Sequence, residues 1–138
     1  MIRLVSLNTW CGRSLYPLMS FFRKKADSVD IFCLQEVCSG DQETCDLRHP
    51  GEHVYGPLFK RISDELKGFE GSFASFGDDP HRMSLALFWR RGLSIKKIED
   101  FIVYTPEIPV ETGSAIFSPR KLQSLIFEID GKEVLVGN

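Results

Sequence analysis

Two oxygen-bearing side chains, Asn8 and Glu36, stand at the ends of two strand-like stretches in this sequence. Asn8 follows the largely apolar residues 2–7, and Glu36 follows residues 31–35. Hard cations such as Mg²⁺ take oxygen ligands, usually one or two carboxylates together with waters and substrate phosphate. An amide and a carboxylate at the ends of two buried strands therefore indicate a divalent-cation site.

Each of these residues also has a simpler interpretation. Glu36 could be a strand-end carboxylate that caps a turn, but an unpaired carboxylate is costly to bury at the end of an apolar strand. We therefore favour a metal ligand at Glu36. Asn8 could equally form a turn, as asparagine often does. Taken together with Glu36, it is interpreted as a site residue.

Composition indicates a globular chain about one domain in size. The 138 residues are 43% hydrophobic and 12% aromatic, with a formal net charge of −2, so no overall basic field points to nucleic acid. No apolar run approaches the roughly 18–20 residues of a membrane span, and none is predicted. The four cysteines are unevenly spaced, which favours reduced thiols and a cytoplasmic location over a disulfide framework.

Hydrophobic periodicity predicts the order β-α-β-α followed by a β-meander. Residues 2–8 and 30–36 are predicted as buried parallel strands on either side of an amphipathic helix over residues 15–28. A second helix is predicted around Leu58, Ile62 and Leu66, and strands follow from Gly71 onward, ending in a hairpin at Asp130-Gly131. The predicted fold class is α/β (α+β), a mixed sheet with flanking helices.

This topology also predicts where the site lies. Functional groups gather at the carboxyl ends of parallel strands in such sheets. Asn8 and Glu36 occupy those ends on two strands that we expect to be neighbours. The fold would thereby bring together two residues that are 28 positions apart in the sequence.

The segments Ser6-Leu7-Asn8-Thr9-Trp10 and Leu34-Gln35-Glu36-Val37 resemble the endonuclease/exonuclease/phosphatase superfamily, which includes nucleases similar to exonuclease III and DNase I. The resemblance extends over residues 1–138 as the N-terminal half of a four-layered α/β sandwich. It implies a hydrolase of phosphodiesters or phosphomonoesters that depends on Mg²⁺ or Mn²⁺.

The resemblance also implies roles for individual residues. Glu36 corresponds to the metal-binding glutamate of the family and Asn8 to its metal-site asparagine, while Gln35 has a supporting role. Arg120 corresponds to an arginine near the edge of the active site. The implied substrate is a phosphoester, and nucleic acids, phosphorylated small molecules and lipids all remain open.

The later motifs of that family are not found in these 138 residues. They comprise a His, an Asp-x-Asn pair and a terminal Asp-His, and Asn138 resembles the residue just ahead of the first His. We therefore expect a single truncated domain that is inactive alone. The alternative is a non-catalytic fragment or pseudoenzyme that acts as an interaction module and self-associates through an exposed sheet edge. A plain α/β domain that binds a phosphorylated ligand is disfavoured, because no G-x-G-x-x-G follows the first strand.

Other polar and aromatic residues allow two interpretations each. Cys38, Cys45, His49 and His53 have poor zinc-ligand spacing, and a surface loop is favoured. Trp10 could stack on a substrate ring or pack beneath the metal site. The remaining candidates for phosphate contacts are Arg82, Arg90 and Arg91. A solvated turn is favoured for Arg90 and Arg91.

Overall fold

The computed structural model describes residues 1–40, 44–45, 53–54, 57–74, 84–104 and 120–138, with the backbone alone described at 44–45 and 53–54. The elements, in chain order, are β1 Leu4–Asn8, α1 Leu15–Lys25, β2 Ile31–Val37, β3 Thr44–Cys45, β4 His53–Val54, α2 Leu58–Glu65, β5 Phe69–Ala74, β6 Ser84–Arg90, β7 Ser94–Tyr104, β8 Arg120–Ile129 and β9 Lys132–Gly137.

The predicted strand-helix-strand unit is confirmed. Strands β1 and β2 pair in parallel from Leu4↔Ile31 to Asn8↔Gln35. Helix α1 ends three residues earlier than expected, at Lys25, with basic residues in its last turn that favour the negative end of the helix dipole. Strand β2 is largely buried, as predicted. Strand β1 alternates between exposed and half-buried residues instead, because it forms one edge of its sheet in the described part of the chain.

The first sheet is mixed, as predicted, with strand order β1-β2-β6-β5. Strands β6 and β5 run antiparallel to their neighbours. Helices α1 and α2 cover one face of this sheet and bury an apolar core against it. The largest fully buried members of that core are Phe22, Phe32, Phe88, Met19, Leu34, Leu58, Ile62 and Leu66.

The predicted meander is divided between two sheets. Strands β5 and β6 complete the first sheet, whereas β7, β8 and β9 form a second, antiparallel sheet. The chain leaves the first sheet through a turn at Gly92, whose φ of +95° suits glycine. The hairpin predicted at Asp130-Gly131 is confirmed, and φ values of +51° and +72° match the type I′ turn that this dipeptide favours.

The second sheet packs on the face of the first sheet that the helices leave open. The apolar side chains buried between the two sheets are Ile31, Cys33, Leu87, Trp89, Leu125 and Phe127. Burial raises the pKa of the Cys33 thiol to about 11, so it remains protonated at neutral pH. The layers are thus helices, sheet and sheet, which confirms the α/β sandwich class.

Arg90 corrects the prediction of a solvated turn. Its Nη2 donates to the carbonyls of Ala26 and Val29 at 2.5 and 2.6 Å, beyond the end of α1. Its Nε lies 3.4 Å from the Asp30 carboxylate, which also accepts the backbone N–H of Arg3 at 2.8 Å. Arg90 therefore ties the end of α1 to the amino ends of β1 and β2, at the opposite end of the sheet from Glu36.

Several sequence predictions lie outside the described residues. They concern the side chains of Cys45, His49 and His53, and Arg82. Within the described residues, no helix has the length and apolar character needed to cross a membrane.

Candidate functional site

Glu36 lies in an irregularity of β2 at the carboxyl end of that strand. Leu34 pairs with Ala86 on β6 and Val37 pairs with Ser84, so two residues of β2 face one residue of β6. This is the arrangement of a β-bulge, a feature that often occurs beside active sites and redirects a side chain. The φ of Glu36 is +54°, a left-handed conformation that is unfavourable for residues other than glycine.

Thr9 holds this irregular backbone from the side of β1. Its backbone N–H donates to the Gln35 carbonyl at 2.9 Å. Its hydroxyl lies 2.9 Å from the carbonyls of both Gln35 and Glu36. Thr9 is buried, and its role could not be predicted from the sequence. Its position directly after Asn8 was the only signal available.

Asn8 occupies the register position opposite Gln35, next to Glu36. Its Oδ1 accepts the backbone N–H of Trp10 at 2.8 Å, so the side chain forms the local turn considered above. An amide oxygen has two lone pairs, and this hydrogen bond uses one of them. Turn formation therefore fixes the direction of the Asn8 side chain and leaves an acceptor position for a ligand.

Two buried cysteines adjoin the Glu36 carboxylate. The Cys11 Sγ lies 3.7 Å from Glu36 Oε2, at the distance of a weak S–H hydrogen bond. Cys11 packs against Cys38, and both are buried. The hydrogen bond with Cys38, together with burial, raises the pKa of Cys11 far above its ordinary value. Cys11 therefore remains a neutral thiol that can donate to Glu36.

Trp10 does not pack beneath the site. Its side chain is 56% exposed, and the guanidinium carbon of Arg13 lies 5.2 Å from its ring centroid. An exposed indole with a guanidinium over its face is a cation–π arrangement. The expectation of packing is wrong for Trp10, and its stacking on a substrate stays a prediction.

A cluster of amide side chains joins the two sheets behind Glu36. Gln35 Nε2 donates to Asn138 Oδ1 at 2.6 Å and lies 3.3 Å from Ser6 Oγ. Asn138 Nδ2 donates to the carbonyls of Leu34 and Ala86 at 3.0 and 3.1 Å. Because two carbonyls face Nδ2, the orientation of the Asn138 amide is fixed by its partners.

Arg120 begins β8, at the same end of the second sheet as Asn138, which pairs with Gln123 through backbone hydrogen bonds of 2.9 and 3.1 Å. Arg120 is exposed. At about 3.3 Å per residue, it lies roughly 10 Å along the strand from Gln123. No described contact joins Arg120 to Asn8 or Glu36, and its place at the edge of the site stays a prediction.

Asn8 and Glu36 fit a hard divalent cation by their chemistry. They supply an amide oxygen and a carboxylate, and no lysine, arginine or histidine within the described residues pairs with Glu36. Glu36 is half-buried and Asn8 is exposed, so bound water and substrate can supply further ligands. The part of the chain that the structure describes holds no group of three or more His, Cys, Asp or Glu side chains arranged to bind a metal.

Comparison with solved structures identifies the fold. An endonuclease/exonuclease/phosphatase from Bacteroides vulgatus matches 99% of this chain with a TM-score of 0.66 and 18% identity, and 51% of its own length is covered. A mannosyl-6-phosphatase from Bacteroides thetaiotaomicron matches 100% of the chain with a TM-score of 0.64 and 21% identity, over 51% of its length. TDP2 from Caenorhabditis elegans matches 99% with a TM-score of 0.62 and 19% identity, over 34% of its length.

These likenesses confirm the fold expected from the two sequence segments. The chain covers about half of the Bacteroides structures and a third of TDP2. No protein-family model matches the sequence. No curated protein matches it either.

Proposed function

We propose that this chain contributes to a phosphoesterase site that depends on Mg²⁺ or Mn²⁺, with Glu36 and Asn8 as ligands. The observation that carries the proposal is the Glu36 carboxylate, which a strained and supported bulge holds at the carboxyl end of β2. The fold is shared with proteins described as phosphatases, which supports a phosphoester as the substrate.

The residues of the chain would divide the work in this site. Glu36 would supply a negative charge to the cation, and Asn8 would supply a neutral oxygen whose direction its turn fixes. The Cys11 thiol would bond to Glu36 without adding charge. When bound, the cation would polarise the phosphoryl group and stabilise negative charge on its oxygens.

In the reaction itself, water cleaves one P–O bond of the phosphoester. The products are a phosphate and an alcohol. Arg120 would meet phosphate oxygens at the edge of the site, since arginine binds phosphate with two parallel N–H donors. No general base is assigned among the residues that the structure describes. The proposed substrate classes are nucleic acids, phosphorylated small molecules and lipids. The proposed location is cytoplasmic.

The test measures hydrolysis of bis-p-nitrophenyl phosphate by the natural protein, with Mg²⁺ or Mn²⁺ present. Glu36→Gln removes the charge and nearly keeps the shape, so activity should fall to background. Glu70→Gln is the matched control, because Glu70 lies on β5 at the far end of the sheet from Glu36. Its carboxylate accepts a hydrogen bond from Trp89 Nε1 at 3.2 Å. Full activity in Glu36→Gln would refute the proposal.

The exposed outer face of the second sheet favours a second candidate, a non-catalytic interaction module. Leu135 is 68% exposed, and Phe101 and Leu122 lie on the same face. We expect light scattering of the 138-residue chain to show self-association that Leu135→Lys weakens. A monomer at high concentration that unfolds cooperatively would count against this candidate.

A further inference from the structure

Asn138 occupies a position in the fold that the proposed ligand set does not include. It follows β9 in the second sheet, yet its side chain makes all its described hydrogen bonds with the first sheet. Its backbone pairs with Gln123 on β8, which holds Asn138 near the end of the second sheet where β8 begins. Asn138 therefore links the two sheets at the level of Glu36.

The contacts of Asn138 surround the bulge. Leu34 and Ala86, whose carbonyls accept from Nδ2, form the last regular pair before the register of β2 and β6 shifts. Gln35, which donates to Oδ1, is the residue directly before Glu36. Thr9 bonds to the carbonyls of Gln35 and Glu36 from β1. Thr9 thus holds the backbone at Glu36 itself, whereas Asn138 holds the residues next to Glu36.

We propose that Asn138 is a positioning residue that fixes the bulge of β2 and thereby presets the Glu36 carboxylate for a divalent cation; this inference rests on the proposed function. A left-handed residue other than glycine persists only where its surroundings over-determine it. Asn138 supplies three of the hydrogen bonds around the bulge from a strand that is otherwise remote from it. Replacement of a residue that orients a metal ligand in this way typically lowers metal affinity by about 10- to 100-fold.

The test compares variants of the 138-residue chain by Mn²⁺ binding in calorimetry. Asn138→Asp keeps an acceptor for Gln35 but turns an oxygen toward the carbonyls of Leu34 and Ala86. We expect it to weaken Mn²⁺ binding by about 10- to 100-fold. The control is Val136→Ala, which removes apolar contacts between the sheets from the same strand and leaves the amide cluster intact. It should bind Mn²⁺ as the unaltered chain does.

A second measurement reports on the backbone without metal. NMR couplings and chemical shifts of Glu36 should give φ near +54° in the unaltered chain and in Val136→Ala, and a negative φ in Asn138→Asp. If Asn138→Asp fails to fold, Asn138→Ser, which shortens the side chain and keeps its polarity, takes its place.

The outcomes separate this inference from the proposed function. Unchanged Mn²⁺ affinity and unchanged φ in the Asn138 variants would overturn the positioning role, even where Glu36→Gln loses binding. Absence of Mn²⁺ binding in the unaltered chain would refute the metal site, and the φ of Glu36 would then decide the positioning role alone.

Discussion

Glu36 combines a strained backbone with a carboxylate that lacks a cationic partner in the described part of the chain. Strain of this kind costs about 1–3 kcal/mol and clusters at functional sites. An ordinary strand position would offer no reason to keep a glutamate at φ +54°. The conformation of Glu36 therefore supports its interpretation as a functional residue.

Comparison of glycine and alanine at position 36 tests the backbone strain at Glu36. Glu36→Ala and Glu36→Gly both remove the carboxylate, but only glycine tolerates the positive φ. Glu36→Gly should be more stable than Glu36→Ala by about 1–2 kcal/mol in urea unfolding. At Glu70, on a regular strand, the order should reverse, with alanine more stable by about 0.5–1 kcal/mol. Equal ranking at the two positions would argue against strain at Glu36.

The residues of the candidate site differ in how visible they are in the sequence. Asn8 and Glu36 could be predicted because each stands at the end of a recognisable strand. Thr9 and Asn138 could not be assigned roles, since their partners lie 26 to 104 residues away along the chain. Their roles follow from strand register and sheet packing, which local residue patterns do not specify.

The amino ends of β1 and β2 are joined to β6 through Asp30. Burial pushes the pKa of Asp30 upward, but hydrogen bonds from Arg3 and Arg90 outweigh it and hold the pKa below its ordinary value. A lowered carboxyl pKa stabilises the folded state above the ordinary value near 3.8, and that stabilisation is lost as the pH falls through the folded-state pKa.

Replacement of Asp30 should therefore have a pH-dependent cost. Asp30→Asn should lower the free energy of unfolding by about 1–3 kcal/mol at pH 7, because charge-assisted hydrogen bonds are lost. The difference from the unaltered chain should shrink in unfolding measured below about pH 4. Asp27→Asn, at an exposed position next to α1, is the control and should change little at either pH. A gap that widens in acid would contradict this assignment.

The packing of β5 against β6 and α2 depends on Gly71. A Cβ at this position would come within 2.6 Å of the Phe88 ring and 3.3 Å of Phe59. Gly71→Ala should destabilise the fold by about 1–3 kcal/mol through overpacking. Gly68→Ala is the matched control, since a Cβ there meets nothing within 4 Å. Similar melting temperatures for the two variants would refute close packing at Gly71.

Most elements could be predicted from hydrophobic periodicity and turn residues. The parallel pair β1 and β2, both helices and the Asp130-Gly131 hairpin all follow such local rules. The division of the meander into two sheets at Gly92 did not, because alternation of apolar residues is the same whichever sheet a strand joins. Arg90 was misjudged for a related reason, since its acceptors belong to the end of α1, some 60 residues away.

The described layers of the molecule are helices, a mixed sheet and an antiparallel sheet whose outer face is open. The fold is shared with solved structures about twice as long, of which this chain covers 51% in two cases. The candidate site lies where both sheets meet at the carboxyl ends of β1 and β2. Its proposed ligands Asn8 and Glu36 come from the first sheet, and Asn138 joins this region from the second.

Calorimetric titration of the 138-residue chain with Mn²⁺ tests whether Glu36 binds a divalent cation. The unaltered chain and Glu70→Gln should bind one Mn²⁺ with the same affinity, because Glu70 lies at the far end of the first sheet. Glu36→Gln should bind at least about 10-fold more weakly, a loss of about 1.4 kcal/mol. Equal Mn²⁺ affinity in Glu36→Gln and the unaltered chain would exclude Glu36 as a metal ligand.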